Sequence, residues 1–290
     1  MAAAAPTVTS ASQSGTNDDN VIFGADQTEA DRLDMQHQVI HDANPRFVYA
    51  PLDLSQGGYK ILDQATGSGI WIRDAREATG ASNTWVGTDI EDSYFPENPP
   101  SDTSYHHQSM TEPWHKDWEG SFDLVHSRMA LPGVGMKPLE DAVKGLIALV
   151  KPGGWIQLVE MDWDGWNNGP EGTIFRIAIK DLISTVSSGQ GVDLREKLIP
   201  IFKAAGLENI DYEIITTPFC ARASDRIRAT SEASLFATAM GVSTTTKMLP
   251  PISISREQLD VMPQKLLEEA KKDGWEFKQF VLWAQKPLAT

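Results

Sequence analysis

Small residues recur in one short segment of the chain, residues 61–71, which read ILDQATGSGIW. Ala65, Gly67 and Gly69 follow an apolar run that predicts a strand, and they precede a predicted helix. Small residues let the backbone turn tightly and approach a ligand, and the first turn of a helix offers free N–H groups. The segment is therefore predicted to bind a ligand.

The spacing within this segment separates two classes of ligand. A dinucleotide-binding loop reads G-x-G-x-x-G, but the sixth position counted from Gly67 is Ile72. The phosphate-binding pattern G-x-x-x-x-G-K-[ST] does not match either. An acid, Asp63, stands two residues before the first small residue. This pattern favours a nucleoside that carries an amino acid over a pyrophosphate.

Asp89 adds a second signal for a nucleoside. It lies twenty residues after Gly69, at the end of the next predicted strand. A carboxylate in that place can accept hydrogen bonds from both hydroxyls of a ribose. The alternative is an ordinary turn with a capping Asp. The order, the spacing and the strand context together favour the nucleoside site.

Predicted strands and helices alternate through the first part of the chain. The predicted strands are residues 59–64, 84–88, 104–107, 122–126, 155–160, 210–219 and 277–285. The predicted helices are residues 29–42, 70–79, 139–150, 171–187, 194–205, 223–240 and 256–272. Strands that are separated by helices imply an α/β fold with a parallel sheet and right-handed crossovers.

The chain is predicted to form a single domain over residues 21–290. The connection between the last two predicted strands is too long for a hairpin, so it is expected to fold as helices. Together with the N-terminal helix it would form a helical cap, at about residues 21–50 and 220–275. Residues 1–20 are rich in Ala, Ser and Thr and are expected to be a disordered tail.

Composition restricts the partners of the chain. The formal net charge is −15 and no run of Lys and Arg stands out, which argues against nucleic acid and against an anionic membrane surface. No basic residue precedes Arg32, and no apolar stretch approaches the length of a membrane span. Cys220 is the single cysteine, which excludes an internal disulfide. We expect a cytoplasmic protein with a small-molecule partner; a homodimer is compatible with the sequence.

The sequence resembles the class I S-adenosylmethionine (SAM) dependent methyltransferases. More narrowly, it is similar to the fungal group that acts in secondary metabolism and includes the global regulator of secondary-metabolite clusters. The resemblance covers roughly residues 27–287 and rests on segments 29–37, 49–51, 61–71, 86–90, 112–114, 122–128, 149–156 and 233–236. The glycine that usually begins the loop of this family is replaced by Ala65.

The resemblance implies a fold, a cofactor and a set of roles. The fold is a Rossmann-like sheet, mostly parallel with an antiparallel last strand, with N-terminal helices and a helical insertion before the last strand. The cofactor is SAM. The implied binding residues are Asp63 for the loop and the methionine amine, Ala65, Gly67 and Gly69 for the methionine and ribose, Asp89 for the ribose, Ile90, Ser109 and Met110 for the adenine, and His126 and Ser127 for the methyl end. Thr66 of the loop is a further predicted cofactor contact. Tyr49 could bond the carboxylate of the cofactor or the acceptor, and packing is the alternative for it.

Two histidines are candidate general bases for an acceptor that must lose a proton. A histidine titrates near neutral pH and suits this task. His126 ends the fourth predicted strand, at the edge where α/β sheets bind ligands. His37 lies on the N-terminal helix, which could close over the cofactor. The alternatives are a backbone contact to the cofactor for His126 and a packing or surface position for His37.

Aromatic residues after the fifth predicted strand mark a candidate acceptor pocket. Trp163 and Trp166 could stack on a flat, apolar molecule. Phe219, Phe236 and Met240 are further candidates for this pocket, and packing in the core is the alternative for each of the five.

No metal site is expected. Asp162 and Asp164 lie next to the same pocket, but further ligands are not evident in the sequence. We therefore interpret both carboxylates as loop residues in contact with solvent.

The sequence supports three hypotheses of function. The first is a SAM-dependent methyltransferase that acts on a small, largely apolar natural product, at a hydroxyl oxygen. The second is a regulatory protein with a SAM-binding fold that works through partners and has no acceptor pocket. The third is an enzyme that uses SAM in another type of reaction, such as a pericyclic step. A deep aromatic pocket favours the first hypothesis.

Overall fold

The computed structural model describes residues 22–23 and 27–288. The predicted disordered tail, residues 1–20, lies outside the described residues. The same holds for residues 21 and 24–26 at the start of the predicted cap.

Seven strands form the sheet at the centre of the fold. They are β1 (Lys60–Gln64), β2 (Thr84–Asp89), β3 (Thr103–His107), β4 (Phe122–Arg128), β5 (Val150–Asp162), β6 (Glu208–Phe219) and β7 (Trp275–Gln285). Their order is β3-β2-β1-β4-β5-β7-β6. The first five strands are parallel, and β7 is antiparallel to both of its neighbours. The predicted α/β class and the antiparallel last strand are confirmed.

Seven α-helices surround this sheet in the described residues. They are α1 (Gln27–Ala43), α2 (Ile70–Thr79), α3 (Leu139–Leu149), α4 (Pro170–Val186), α5 (Leu194–Ala204), α6 (Arg228–Met248) and α7 (Arg256–Asp273). The last two helices occupy the long connection between β6 and β7, as predicted. α1 packs on α6, and α7 packs on α6 and α4.

Several boundaries differ from the sequence prediction, and two of the differences have identifiable long-range causes. The sixth helix begins at Arg228 rather than residue 223, because the preceding segment is held by tertiary contacts such as the bond from the Cys220 N–H to Ser231 Oγ (2.8 Å). The predicted turn at residues 151–154 lies inside β5 as an irregularity of its pairing with β4. There the Gly153 N–H donates to the carbonyl of Lys286 (2.8 Å). Both differences arise from long-range partners.

The strand order fixes where a ligand can bind. Trp71 and Ile72 of α2 pack on one face of the sheet, and Leu146 of α3 and Leu198 of α5 pack on the other. The chain therefore changes face between β1 and β4, which are neighbours in the sheet. At such a point the loops after the two strands separate and leave a crevice at their carboxyl ends.

Candidate functional site

A cavity of about 270 Å³ lies at this crevice. One end is formed by the loop after β1 and the end of β2, and the other by residues of α4 and α5. Of the residues implied by the resemblance or proposed for an acceptor, those in its wall are Asp63, Ala65, Thr66, Gly67, Asp89, Ile90, Ser109, Met110 and Trp163. The structure brings these together from four separate stretches of sequence.

Asp89 anchors the glycine-rich loop. Its Oδ2 accepts the Gly67 N–H at 2.8 Å, and its Oδ1 accepts the Glu91 N–H at 3.1 Å. Burial raises the pKa of Asp89, and these backbone donors oppose the rise. Each carboxylate oxygen has a second lone pair that can accept from a ligand. Asp89 can therefore position the loop and bind a hydroxyl pair at the same time.

Two small residues of the loop adopt left-handed backbone conformations beside the cavity. Gly67 has φ +55°, and a Cβ there would meet only the side chain of Leu33 at 3.6 Å. Ala65 has φ +56°, a conformation that costs an L-residue roughly 1–2 kcal/mol. The alanine at the position of the usual glycine therefore carries backbone strain.

Gly69 lies beside a buried tyrosine that leaves no space for a side chain. It does not line the cavity. A Cβ on Gly69 would overlap the hydroxyl of Tyr105, and a Cβ on Gly87 would lie 2.5 Å from the ring of the same tyrosine. Burial raises the pKa of Tyr105 to about 12. The two glycines make room for this phenol beneath the loop, and Gly69 remains a prediction as a cofactor contact.

Asp63 is the centre of a buried hydrogen-bond network. Its Oδ2 accepts from Thr66 Oγ1 at 2.7 Å, and its Oδ1 lies 2.8 Å from His126 Nδ1. The His126 ring stacks on Trp71, with 3.9 Å between ring centroids. Burial lowers the pKa of His126 against the opposing effect of Asp63. The structure places this imidazole behind Asp63 and outside the cavity wall, which does not favour its predicted role as a base.

Ser127 and Tyr49 also lie outside the wall of the cavity. Ser127 Oγ donates to Gln64 Oε1 at 2.7 Å between two buried residues. The backbone N–H of Tyr49 donates to Gln157 Oε1 at 2.6 Å, and its ring packs beneath the guanidinium of Arg46. The structure places both side chains in packing positions.

His37 has no ring nitrogen available for a substrate. Its Nε2 lies 3.0 Å from Asp74 Oδ2, and its Nδ1 lies 2.9 Å from Arg128 Nη2. Because a guanidinium can only donate, Nδ1 accepts from Arg128 and Nε2 carries the proton. Burial, with Arg128, lowers the pKa of His37 to about 3. The structure therefore supports a neutral His37 that orients Arg128.

Two arginines in the cavity wall were not singled out from the sequence. Arg128 comes from the end of β4 and Arg32 from α1. Glu29 binds Arg32 through both carboxylate oxygens, at 2.6 and 2.7 Å. Arg128 donates a hydrogen bond to His37. Among the described residues, no carboxylate lies within salt-bridge distance of Arg128. Its position at the carboxyl end of β4 was the available sequence signal for Arg128.

Of the five residues predicted to bind the acceptor, only Trp163 lines the apolar end of the cavity. Met161, Trp163, Ile179, Ile183 and Leu194 form it. The four others lie elsewhere: Trp166 and Phe219 pack around Trp275 in the core, Phe236 is half-buried on α6, and Met240 is 45% exposed. The period of α4, which places Ile179 and Ile183 one turn apart, was the signal that could have identified the pocket face.

Glu160 is a buried carboxylate in the wall that the sequence prediction did not include. It is 1% exposed, and its Oε1 accepts the N–H groups of Ala130 and Leu131 at 3.0 and 2.9 Å. Burial raises its pKa to about 8, and the two backbone donors oppose this rise. The only sequence signal for Glu160 was its position as a single acid between the apolar residues Val159 and Met161 of β5.

The described residues offer neither a metal site nor a membrane-spanning helix. They contain no group of three or more His, Cys, Asp or Glu arranged to hold a metal ion. The interpretation of Asp162 as a loop residue in contact with solvent is wrong: it ends β5, is buried, and bonds Arg195 Nη1 at 2.6 Å. None of the described helices is both long and apolar enough to cross a membrane.

The fold and the wall of the cavity define a Rossmann-like protein that can bind a nucleoside at the β1–β4 crevice. Comparison with known proteins narrows this class. No protein-family model matches the chain. N-methyltransferase tcpN of Claviceps purpurea is 32% identical over 209 residues, which cover 70% of this chain and 74% of that protein. Methyltransferase psoC of Aspergillus fumigatus is 29% identical over 83% of this chain and 88% of its own length.

Other relatives match over a shorter part. N-methyltransferase sirN of Leptosphaeria maculans is 43% identical, and the match spans 49% of each chain, about half the length of that relative. Among solved structures, Haemonchus contortus phosphoethanolamine N-methyltransferase 2 in complex with SAM has a TM-score of 0.51 at 14% identity, over 91% of this chain and 57% of that one. This likeness concerns the fold. The chain belongs to the fungal secondary-metabolism methyltransferases of the class I SAM-dependent family.

Proposed function

We propose that this chain transfers a methyl group from SAM to a small, largely apolar molecule. The observation that carries the proposal is the continuity of one cavity, from the loop at Gly67 and Asp89 to the apolar end at Trp163, Ile179 and Ile183. A nucleoside and an apolar acceptor could occupy the two ends side by side. A regulatory protein that acts only through partners would need no apolar end.

The residues of the first end fit SAM chemically. Asp89 would hold the ribose hydroxyls through the lone pairs that the loop leaves free. The open face of Gly67 would allow the backbone to approach the ligand. Arg128, which lacks a carboxylate partner, would bind the methionine carboxylate, and Asp63 and Glu29 lie in the same wall to meet the ammonium. Acids therefore accompany two arginines, as a ligand with both signs of charge requires.

Bound SAM would supply an electrophilic methyl group on a positively charged sulfur. The chain's own contribution would be to align the acceptor and to exclude water, because alignment of two reactants can supply several kcal/mol of the barrier. Trp163 offers a ring for stacking and Met161 a flexible apolar contact at the acceptor end. These residues would fix the orientation of the acceptor relative to the loop.

The acceptor atom that we propose is nitrogen. The sequence prediction was a hydroxyl oxygen, and the structure does not distinguish the two. Four fungal relatives carry the name N-methyltransferase: sirN, gliN, tcpN and verN. Their names support an amine or amide nitrogen as the nucleophile here.

The test measures binding and transfer separately. Calorimetry should detect SAM binding to the purified protein. Release of S-adenosylhomocysteine is then followed with a panel of small apolar compounds, each with a single amine, amide or phenol. We expect turnover with an amine or amide. Turnover with phenols alone would mean that the methylated atom is oxygen. SAM binding without turnover of any compound would contradict the enzyme hypothesis.

A pair of variants on α4 locates the acceptor. Ile179→Trp should fill the apolar end and abolish transfer, while the affinity for SAM stays within about twofold. Thr173→Trp, at an exposed position of the same helix, is the matched control and should leave both unchanged. Full transfer activity in a folded Ile179→Trp protein would place the acceptor outside this cavity.

A further inference from the structure

Glu160 joins the two ends of the cavity. It lies near the carboxyl end of β5, one residue before Met161 of the apolar end. Its carboxylate accepts hydrogen bonds from the backbone N–H groups of Ala130 and Leu131, which lie two and three residues after the end of β4. The carboxylate is thus held at the side of the cavity where the loops after β1 and β4 meet the acceptor end.

One oxygen of this carboxylate is left without a protein partner. Oε1 accepts both backbone N–H groups, whereas no hydrogen bond of the described residues reaches Oε2. Asp63 is the other buried carboxylate of the wall, and both of its oxygens have side-chain partners. Oε2 is not among the fully buried side-chain atoms that lack a partner, and Glu160 lines the cavity, so a ligand that brings a donor can reach this oxygen.

No cation compensates Glu160. In the described part of the chain no Lys, Arg or His nitrogen lies within salt-bridge distance of its carboxylate. On β4, Arg128 bonds His37, and on α5, Arg195 bonds Asp162. On α1, Arg32 bonds Glu29. On β7, Phe280 stands opposite Glu160, and Lys278 stands opposite Asp162.

The two predicted histidine bases are both occupied elsewhere. His126 is bound to Asp63 behind the loop, and His37 is held between Asp74 and Arg128. Neither lines the cavity. Among the described residues of the wall, Glu160 is the buried acid–base group that faces the acceptor end with a free oxygen. Burial raises its pKa to about 8, and a base near the working pH transfers protons efficiently.

We infer that Oε2 of Glu160 accepts a hydrogen bond from the N–H of the acceptor and takes that proton during methyl transfer. This inference rests on the proposed function. The nitrogen lone pair forms the new bond to the methyl carbon. The electron pair of the broken carbon–sulfur bond stays on sulfur, which leaves as S-adenosylhomocysteine. The proton moves from nitrogen to Oε2 and later to water, so that charge and atoms balance.

A binding test needs no natural acceptor. Tryptamine carries an indole ring and a side-chain ammonium, and indole provides the same ring with its N–H but without the ammonium. Both are titrated into the S-adenosylhomocysteine complex at about pH 8.5, where the carboxylate is ionised. We expect tryptamine to bind the wild-type complex at least about tenfold more tightly than indole, because Oε2 accepts from the ammonium.

The variant Glu160→Gln should reduce tryptamine to the affinity of indole and leave indole unchanged. Gln keeps an oxygen for the N–H groups of Ala130 and Leu131, so the backbone there is preserved. Glu97→Gln, at an exposed position, is the matched control and should resemble wild type. Equal tryptamine binding by wild type and Glu160→Gln overturns the inference, and so does a failure of tryptamine to exceed indole in wild type.

The affinity for S-adenosylhomocysteine separates this inference from the proposed function. It should stay within about twofold in Glu160→Gln. If wild type does not bind S-adenosylhomocysteine at all, both proposals fail. If it binds and only the tryptamine contrast is missing, the role of Glu160 fails alone.

A pH profile provides the second readout once the panel yields an acceptor. The wild-type kcat/KM should rise with pH and level off near the point where Glu160 ionises. Glu160→Gln should lose about 10²–10⁴-fold in kcat, the usual contribution of a general base, and its rise should be absent. An unchanged profile in Glu160→Gln would assign the proton to another group.

Discussion

Asp63 Oδ1 and His126 Nδ1 lie 2.8 Å apart, beneath the glycine-rich loop. Because a carboxylate can only accept, Nδ1 donates its proton to Asp63. The imidazole is 1% exposed and stacks on Trp71. His126 of β4 therefore orients Asp63 of β1, and it does so from behind the cavity. Substitution of His126 is therefore expected to change the affinity for SAM rather than the chemical step.

His126→Leu should weaken SAM binding, since Asp63 would lose a charge-assisted hydrogen bond inside the protein. The expected loss is roughly 1–3 kcal/mol. His126→Asn, whose amide can donate from nearly the position of Nδ1, should retain most of the affinity. Calorimetry measures both variants. If His126→Leu binds SAM normally and loses only transfer, His126 is a base after all.

Asp89→Ala should weaken SAM binding by roughly 1–3 kcal/mol, or about 5- to 150-fold in Kd. The substitution removes the acceptor of the Gly67 N–H together with the proposed acceptor of the ribose hydroxyls. Glu97→Ala, exposed in the following loop, serves as the control and should not change affinity. An unchanged Kd for Asp89→Ala by calorimetry would mean that the nucleoside lies elsewhere.

Ala65→Gly should not destabilise the protein, although glycine usually does. Ala65 has φ +56°, and glycine adopts this conformation without steric cost. The relief of strain and the greater flexibility of the unfolded chain oppose each other, so we expect a change between zero and about +1 kcal/mol of stability. Ala78→Gly, at an exposed position of α2, should lose about 0.5–1 kcal/mol. Denaturant unfolding measures the free energy of unfolding of both variants. Equal losses of stability in the two would show that Ala65 carries no backbone strain.

Glu160 should make stability depend on pH. Its folded pKa is about 8 against an ordinary 4.5, so between these values the folded state retains a proton that the unfolded state has released. The free energy of unfolding therefore falls as pH rises through this window, by on the order of a few kcal/mol, and the contribution is fully lost above pH 8. Glu160→Gln should lack this decline. Parallel pH dependences of the two proteins would show that Glu160 ionises normally.

The sequence alone determined the fold class and the type of nucleoside site. Both are local in origin. The periods of apolar residues predict each strand and helix, and the loop at residues 61–71 with Asp89 depends on spacing along one chain. For the same reason Asp63, Gly67 and Asp89 could be placed near one another from the order of parallel strands. The boundary of α6 could not be placed, because a tertiary bond from the Cys220 N–H delays its start.

Tertiary structure alone decided which side chains face the cavity. Trp163 and Trp166 are three residues apart and look equivalent in the sequence, but only Trp163 reaches the wall while Trp166 packs against Trp275. At Gly69 the distant Tyr105 occupies the space that a side chain would need, a constraint that the spacing along the chain does not reveal. Burial, and hence the pKa of a carboxylate, depends on everything that packs around it. Residue type and spacing do not contain that information, so the buried acid of β5 became visible only in the folded protein.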